Sequence, residues 1–309
     1  MHFGEFHERY APLFQQHSRV AGEKSLQYFK GLIQAKKKNM ERMAEAVPFS
    51  DDQALQHFLT NSEWDEQLIV DQIAIDANNY IGGKRDSCLI IDETGFPKKG
   101  DKSVGVKRQW CGQLGKVDNC QVGVFSALGY REHATPVGFK LYLPEDWVDV
   151  LHKLVWLWDG EESEAHCWHL IVRREVTGSK VKFSLSNAPE NTSLERLIFM
   201  QAQRYWIERS FQDAKVECGL GEYQARKFRS WHHHMAMVMM AMLFLLEQRL
   251  LYKRDVPLLS CFDIICILSF LLPQRAFDTD EVFRQMEIRH KRRQAAIDSA
   301  YRKQLREYF

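Results

Sequence analysis

Residues 235 to 246 read MAMVMMAMLFLL, twelve consecutive apolar side chains. A helix built from them has no polar face to give to water, so other elements must surround it. Twelve residues fall short of the roughly 20 that a bilayer core requires. A second run, VPLLSCFDIICILSFLLP (256 to 273), is interrupted by Asp263. Both are expected to be buried helices. With 309 residues, 45% of them hydrophobic, the chain can bury one large core or two modest ones. A formal charge of +1 creates no global field, so any attraction to a polyanion must come from local patches. Seven cysteines without framework spacing, in a chain without an apolar leader, point to free thiols, a reducing compartment and a cytoplasmic location, with no membrane. Cys261 and Cys266 are five apart in an apolar setting and read as small core residues, not as zinc ligands.

Residues 1 to about 76 carry helical spacing, as at Leu26, Phe29, Leu32 and Ile33, and PFSDDQALQHFL opens a helix behind a Ser/Asp cap. Segment 27 to 43 holds Lys30, Lys36, Lys37, Lys38 and Arg42 against the single acid Glu41. That is a solvated helix face or, in company with other basic segments, a contact for a nucleic-acid backbone. From Ser87 the pattern changes to short runs rich in β-branched and aromatic residues, bounded by Gly, Asn and Pro: CLIID, KRQWCGQL, NCQVGVFSALGY and PVGFKLYL. Their short connections predict a largely antiparallel sheet. KLVWLWDG, CWHLIVRREV and KVKFSLSNA are further strand candidates, with Trp156 and Trp158 packing on one strand face. Helix returns from Pro189 to about Gly219, and from Arg284 to Phe309 eight Lys/Arg outnumber three acids. The fold class is therefore α+β. WHHH at 231 to 234 reads as a polar rim above the Met-rich run, because consecutive helical histidines point about 100° apart and cannot share one ion.

Two groups of charged residues carry chemistry. Asp92 ends the apolar run CLII before a Gly-Pro turn. A carboxylate there needs hydrogen bonds, a cation or a metal, and an Asx turn capping the strand would also satisfy it. Arg204, Glu208 and Lys215, at i, i+4 and i+11, fall on one narrow helix stripe, which holds the Glu ionised and leaves cations for a phosphate. The same spacing also serves ordinary surface ion pairs.

The stretches IDETGFPKKGDKSVGVKRQWCGQLGKVDNCQVGVF and RYWIERSFQDAKVECGLGEYQARKFRSWHHHMAMVMMAMLFLLEQR resemble the DDE transposases of bacterial insertion sequences, in the superfamily that includes the seven-hundred-and-one group. The resemblance extends over nearly the whole chain and includes the Arg, three residues, Glu, six residues, Lys signature at Arg204, Glu208 and Lys215. The family's Tyr three residues before the Arg is Gln201 here. The resemblance implies a ribonuclease-H-like core in which three carboxylates hold two Mg²⁺ or Mn²⁺ ions for phosphodiester cleavage and strand transfer. It makes Asp92 the first carboxylate and Glu208 the third, with Arg204 and Lys215 in support. The middle Asp has no counterpart. The chain reads as internally shortened between about Trp147 and Leu151, which should leave the sheet with fewer strands and an open edge, and Asp146, Asp149 and Asp159 are the nearby substitutes.

The expected organisation is a helical DNA-binding region at 1–80, a catalytic core at 81–250 and a C-terminal helical region with a basic tail at 251–309. The expected partner is double-stranded DNA at element ends, engaged by a homodimer in a synaptic complex. Candidate DNA contacts are Lys36, Lys37, Lys38, Lys98, Lys99, Lys107, Arg108, Arg226, Lys227 and Arg229. A transposase impaired by the missing acid and a non-catalytic DNA-binding remnant that occupies element ends are the two competing expectations.

Overall fold

A computed structural model describes residues 2–16, 19–144, 169–174, 181–186, 188–222 and 226–308. In chain order the elements are α1 (Phe3–Tyr10), a single 3₁₀ turn, a small hairpin of β1 (Gln15–Gln16) and β2 (Arg19–Val20), then α2 (Gly22–Gln34), α3 (Met40–Ala46), α4 (Asp52–Thr60) and α5 (Glu66–Ile81). Strands β3 (Ser87–Pro97), β4 (Lys107–Cys111), β5 (Lys116–Tyr130) and β6 (His133–Leu141) follow. Beyond them come β7 (His169–Arg174), β8 (Val181–Ser186), α6 (Leu194–Ala202), α7 (Arg204–Glu217), α8 (Phe228–Leu251), α9 (Cys261–Leu271) and α10 (Thr279–Tyr308). The protein is α+β.

The apolar run forms the centre of α8, a helix of 24 residues, longer than the run itself and long and apolar enough by length and composition to cross a membrane. Its most apolar window is 78% buried inside the protein, so protein surrounds it. Met235 to Leu246 pack against α2, α4, α5, α9 and β6 in one apolar cluster that runs from Phe3 to Leu268. Each Met, Val, Leu and Phe among them contributes roughly 1.5–3 kcal/mol on burial. The three regions expected from the sequence share this single core.

The histidines before the run are inside it, which corrects the polar-rim expectation. His232 meets the Phe228 carbonyl, His233 the carbonyls of Leu59 and Trp64, and His234 the Tyr28 hydroxyl and the Gly219 carbonyl. Their separate partners follow from the 100° step between them.

All described strand pairs are antiparallel. β5 is the spine of the main sheet: β3 pairs along its full length on one side, while β4 and then β6 share the other. Among the described residues β3 pairs with β5 alone and leaves Leu89 and Ile91 exposed. Among the described residues β7 and β8 pair only with each other. KLVWLWDG, with Trp156 and Trp158, lies outside the described residues.

The helix expected from Pro189 onward is two helices. Ser193 caps α6 by accepting from the Arg196 amide, and Gln203 separates α6 from α7. α7 ends at Glu217, and Gly219 just beyond it has a φ of +74°, which suits a residue without Cβ. α9 is shorter than the run that suggested it and only half buried. Cys261, Ile264, Ile265 and Leu268 face the core while Phe262, Cys266 and Phe270 face outward, so Cys266 is not a core residue.

Candidate active site

Asp92 is not at a strand end. β3 continues through Gly95 and Phe96 to Pro97, which pairs with Cys120, so the turn lies five residues beyond the carboxylate. Alternation along β3 decides where Asp92 points: Ile90, Asp92 and Thr94 share the face beneath α7, whereas Leu89, Ile91 and Glu93 face out. Its Oδ1 also accepts from the Glu93 amide at 3.0 Å, one residue on, whereas an Asx turn would take the amide two residues on.

α7 lies across this face because its apolar side fits β5 and β6. Phe211 meets Phe125 edge to face, and Ile207 packs over Gly129. Phe125 is the cross-strand partner of Asp92, so seating α7 on Phe125 brings its charged stripe over Asp92. Arg204, the first residue of the helix, connects the two acids. Its Nη2 lies 3.2 and 3.3 Å from the two oxygens of Asp92, and its Nε donates to Glu208 Oε1 at 3.0 Å. One guanidinium thus bridges carboxylates from a strand and a helix far apart in sequence. Arg204 and Glu208 are half exposed and Asp92 is more enclosed, so the pair opens to solvent on one side.

Lys215 completes the stripe. Burial lowers its ammonium pKa, and the nearby Asp92 carboxylate only partly opposes that. Cys111, at the end of β4, was not singled out in the sequence. It is buried, and its Sγ would stand 2.8 Å from a Cβ added at Gly95, so Gly95 admits this close approach. A lone cysteine at a strand end carries no sequence signal that separates it from a core residue.

Asp92 and Glu208 offer hard carboxylate oxygens of the kind that suits Mg²⁺ or Mn²⁺. Among the described residues no group of three His, Cys, Asp or Glu side chains is placed to hold a metal ion. Asp146, Asp149 and Asp159 lie outside the described residues.

The basic residues divide. Lys36 and Lys37 are exposed in the turn between α2 and α3, not on a helix face. Lys38 is not on that surface: it is buried, its Nζ donates to the Ala35 carbonyl at 2.6 Å and its amide to Glu222 at 2.7 Å. Lys99, Lys107, Arg108, Arg226, Lys227 and Arg229 are exposed. Lys98 is half buried, and burial pushes its ammonium down to about 8. Lys227 reaches Asn61 Oδ1, and Arg229 stands 3.9 Å from Glu63. The Arg226 carbonyl accepts from the Val104 amide, which ties this segment to the β3–β4 connection.

A family model described as DDE superfamily endonuclease matches residues 11–204, more than half of the chain. The chain belongs to the DDE superfamily endonuclease family. The match ends at Arg204, so it takes in Asp92 and stops four residues short of Glu208. A probable transposase for insertion sequence element IS701 from Microchaete diplosiphon is 39% identical over 117 residues. The aligned stretch is 36% of this chain and 29% of the length of that relative. This DDE-family chain is thus similar to an insertion-sequence transposase over a limited stretch.

Proposed function

We propose that this DDE-family protein is a transposase of the IS701-like group, acting in the cytoplasm on double-stranded DNA at insertion-sequence ends. In this reading its core is ribonuclease-H-like, and Asp92 and Glu208 hold Mg²⁺ or Mn²⁺. The observation that supports it most is the convergence of the two carboxylates on Arg204. A divalent ion bound there would polarise a phosphodiester and lower the pKa of the attacking water or hydroxyl. The chain's own groups do the rest. Asp92 on its strand and Glu208 on its helix hold fixed positions, Lys215 offsets their charge, and the exposed cations from Lys99 to Arg108 and from Arg226 to Arg229 grip the backbone. Residues 1–80, with Lys36 and Lys37, extend that grip, and 251–309 close the core behind it. Two copies of the chain joining two element ends belong to the same reading.

A second reading, a DNA-binding protein that occupies element ends without cutting them, is favoured by one observation: no third acid joins Asp92 and Glu208 among the described residues. Two carboxylates hold one ion more readily than two, which limits strand transfer. Purified protein incubated with end-bearing DNA and Mg²⁺ or Mn²⁺ separates the two. Strand cleavage lost in both Asp92→Ala and Glu208→Ala supports the transposase, whereas salt-sensitive binding without cleavage supports the second reading. If the protein cuts, Asp146→Asn, Asp149→Asn and Asp159→Asn find the middle acid, because only its replacement abolishes cleavage.

A further inference from the structure

We infer that Arg204 is the resident counter-cation of the carboxylate pair and competes with the divalent ion for it, so that it sets the ion affinity of the site. The inference rests on the reading of Asp92 and Glu208 as ion ligands, but it concerns a residue that is not itself a ligand.

The geometry makes the competition direct. Nη2 of Arg204 contacts both oxygens of Asp92, and Nε contacts the Glu208 oxygen turned toward them. A divalent ion held by the two acids would draw on oxygens that Arg204 already contacts, so guanidinium and ion compete for them. The planar fork suits this role: its donors lie in one plane and reach two carboxylates at once, which the single ammonium of a lysine does less well. Without a cation the two carboxylates would repel each other. Arg204 therefore keeps the pair assembled before an ion arrives.

The placement of Arg204 also makes it releasable. It is the first residue of α7, where the helix dipole disfavours a positive charge, so the helix itself does not hold the guanidinium. Its side chain is half exposed, and leaving the acids returns it to water instead of stranding a charge in the core. Lys215, by contrast, sits farther along the helix and is more enclosed, so it remains as fixed positive charge when Arg204 swings away. The stripe thus contains one mobile cation and one fixed one.

The test is Mn²⁺ binding to the full chain without DNA, read from the loss of the free-ion electron paramagnetic resonance signal. Wild type, Arg204→Met and Arg204→Lys are each compared with and without Asp92→Asn. Removing the competitor is expected to tighten Mn²⁺ binding about three- to tenfold in Arg204→Met, as two partly exposed ion pairs would allow. Arg204→Lys should fall between Arg204→Met and wild type, and Asp92→Asn should abolish binding in all three. Equal or weaker binding in Arg204→Met, with the wild-type site still lost in Asp92→Asn, overturns the inference and leaves the carboxylate site standing. Binding that is absent, or that ignores Asp92→Asn, removes the carboxylate site and the inference together. Unchanged far-ultraviolet circular dichroism in the Arg204 variants, where the residue lies outside the core, guards against misfolding as the cause.

Discussion

The hydroxyl of Tyr28 stands 2.7 Å from Nδ1 of His234, joining α2 to the central helix at a buried point. The other ring nitrogen, Nε2, faces the Gly219 carbonyl at 3.1 Å. A carbonyl only accepts, so Nε2 carries the hydrogen and Nδ1 accepts from the tyrosine. Tyr28→Phe removes this buried bond at a cost of about 0.5–1.5 kcal/mol. Urea unfolding checks it: the midpoint should fall at an unchanged slope, and an unchanged midpoint would mean that water replaces the hydroxyl.

Acid should destabilise the protein in a defined interval. Burial pushes His7, His133, His233 and His234 down from the ordinary 6.5 to about 4. At His233 the carbonyls of Trp64 and Leu59 oppose that push. The unfolded rings take up protons near 6.5 and the folded rings near 4, so the unfolded chain binds more protons between those values. Stability is therefore full above about 6.5 and drains as the pH falls toward 4, by on the order of 1–3 kcal/mol per histidine. Urea midpoints at pH 7, 6 and 5 should decline in that order, and His7→Gln should flatten the decline.

Much of this architecture is legible in the residues, and the failures share a cause. Twelve apolar residues in a row at 235–246 force a surrounded helix, and Gly219 marks the end of α7, because each depends on purely local chemistry. The stripe of Arg204, Glu208 and Lys215 also follows from spacing alone. What spacing does not give is which neighbour a side chain meets. Lys38 resembles Lys36 and Lys37 in sequence, yet the loop after α7 covers it. His232 to His234 are polar in type but find carbonyls and a hydroxyl inside the core. Asp92 looks terminal because Gly-Pro is a turn signal, whereas Pro97 is tolerated as the last residue of β3 and Gly95 makes room for Cys111.

The basic turn at 36–38 should separate into two kinds of lysine. Lys36→Ala removes an exposed charge and is expected to lower the salt slope of DNA binding by about 1 while leaving stability unchanged. Lys38→Ala removes a buried ammonium that donates to Ala35, so the slope should hold while stability falls by roughly 1–3 kcal/mol. Binding isotherms at several salt concentrations, paired with unfolding curves, test both. A fall in slope for Lys38→Ala would mean that the turn opens when DNA binds.

Helix α9 offers the sharpest contrast between what its composition suggests and where it sits. Nearly all of its side chains are apolar, yet only Cys261, Ile264, Ile265 and Leu268 reach the core, and Phe270 is 87% exposed. Ile264 is completely enclosed, so Ile264→Ala deletes buried methyl groups and leaves a cavity at a cost of about 2–5 kcal/mol. Phe270→Ser removes a ring already in water and should change stability by less than about 0.5 kcal/mol. It should also improve solubility, because Phe262, Phe270 and Leu271 together leave an apolar face open to other molecules. Paired urea curves give the comparison. A large loss in Phe270→Ser would mean that this face is covered in solution, and a loss that grows as the protein is diluted would make the cover a second chain.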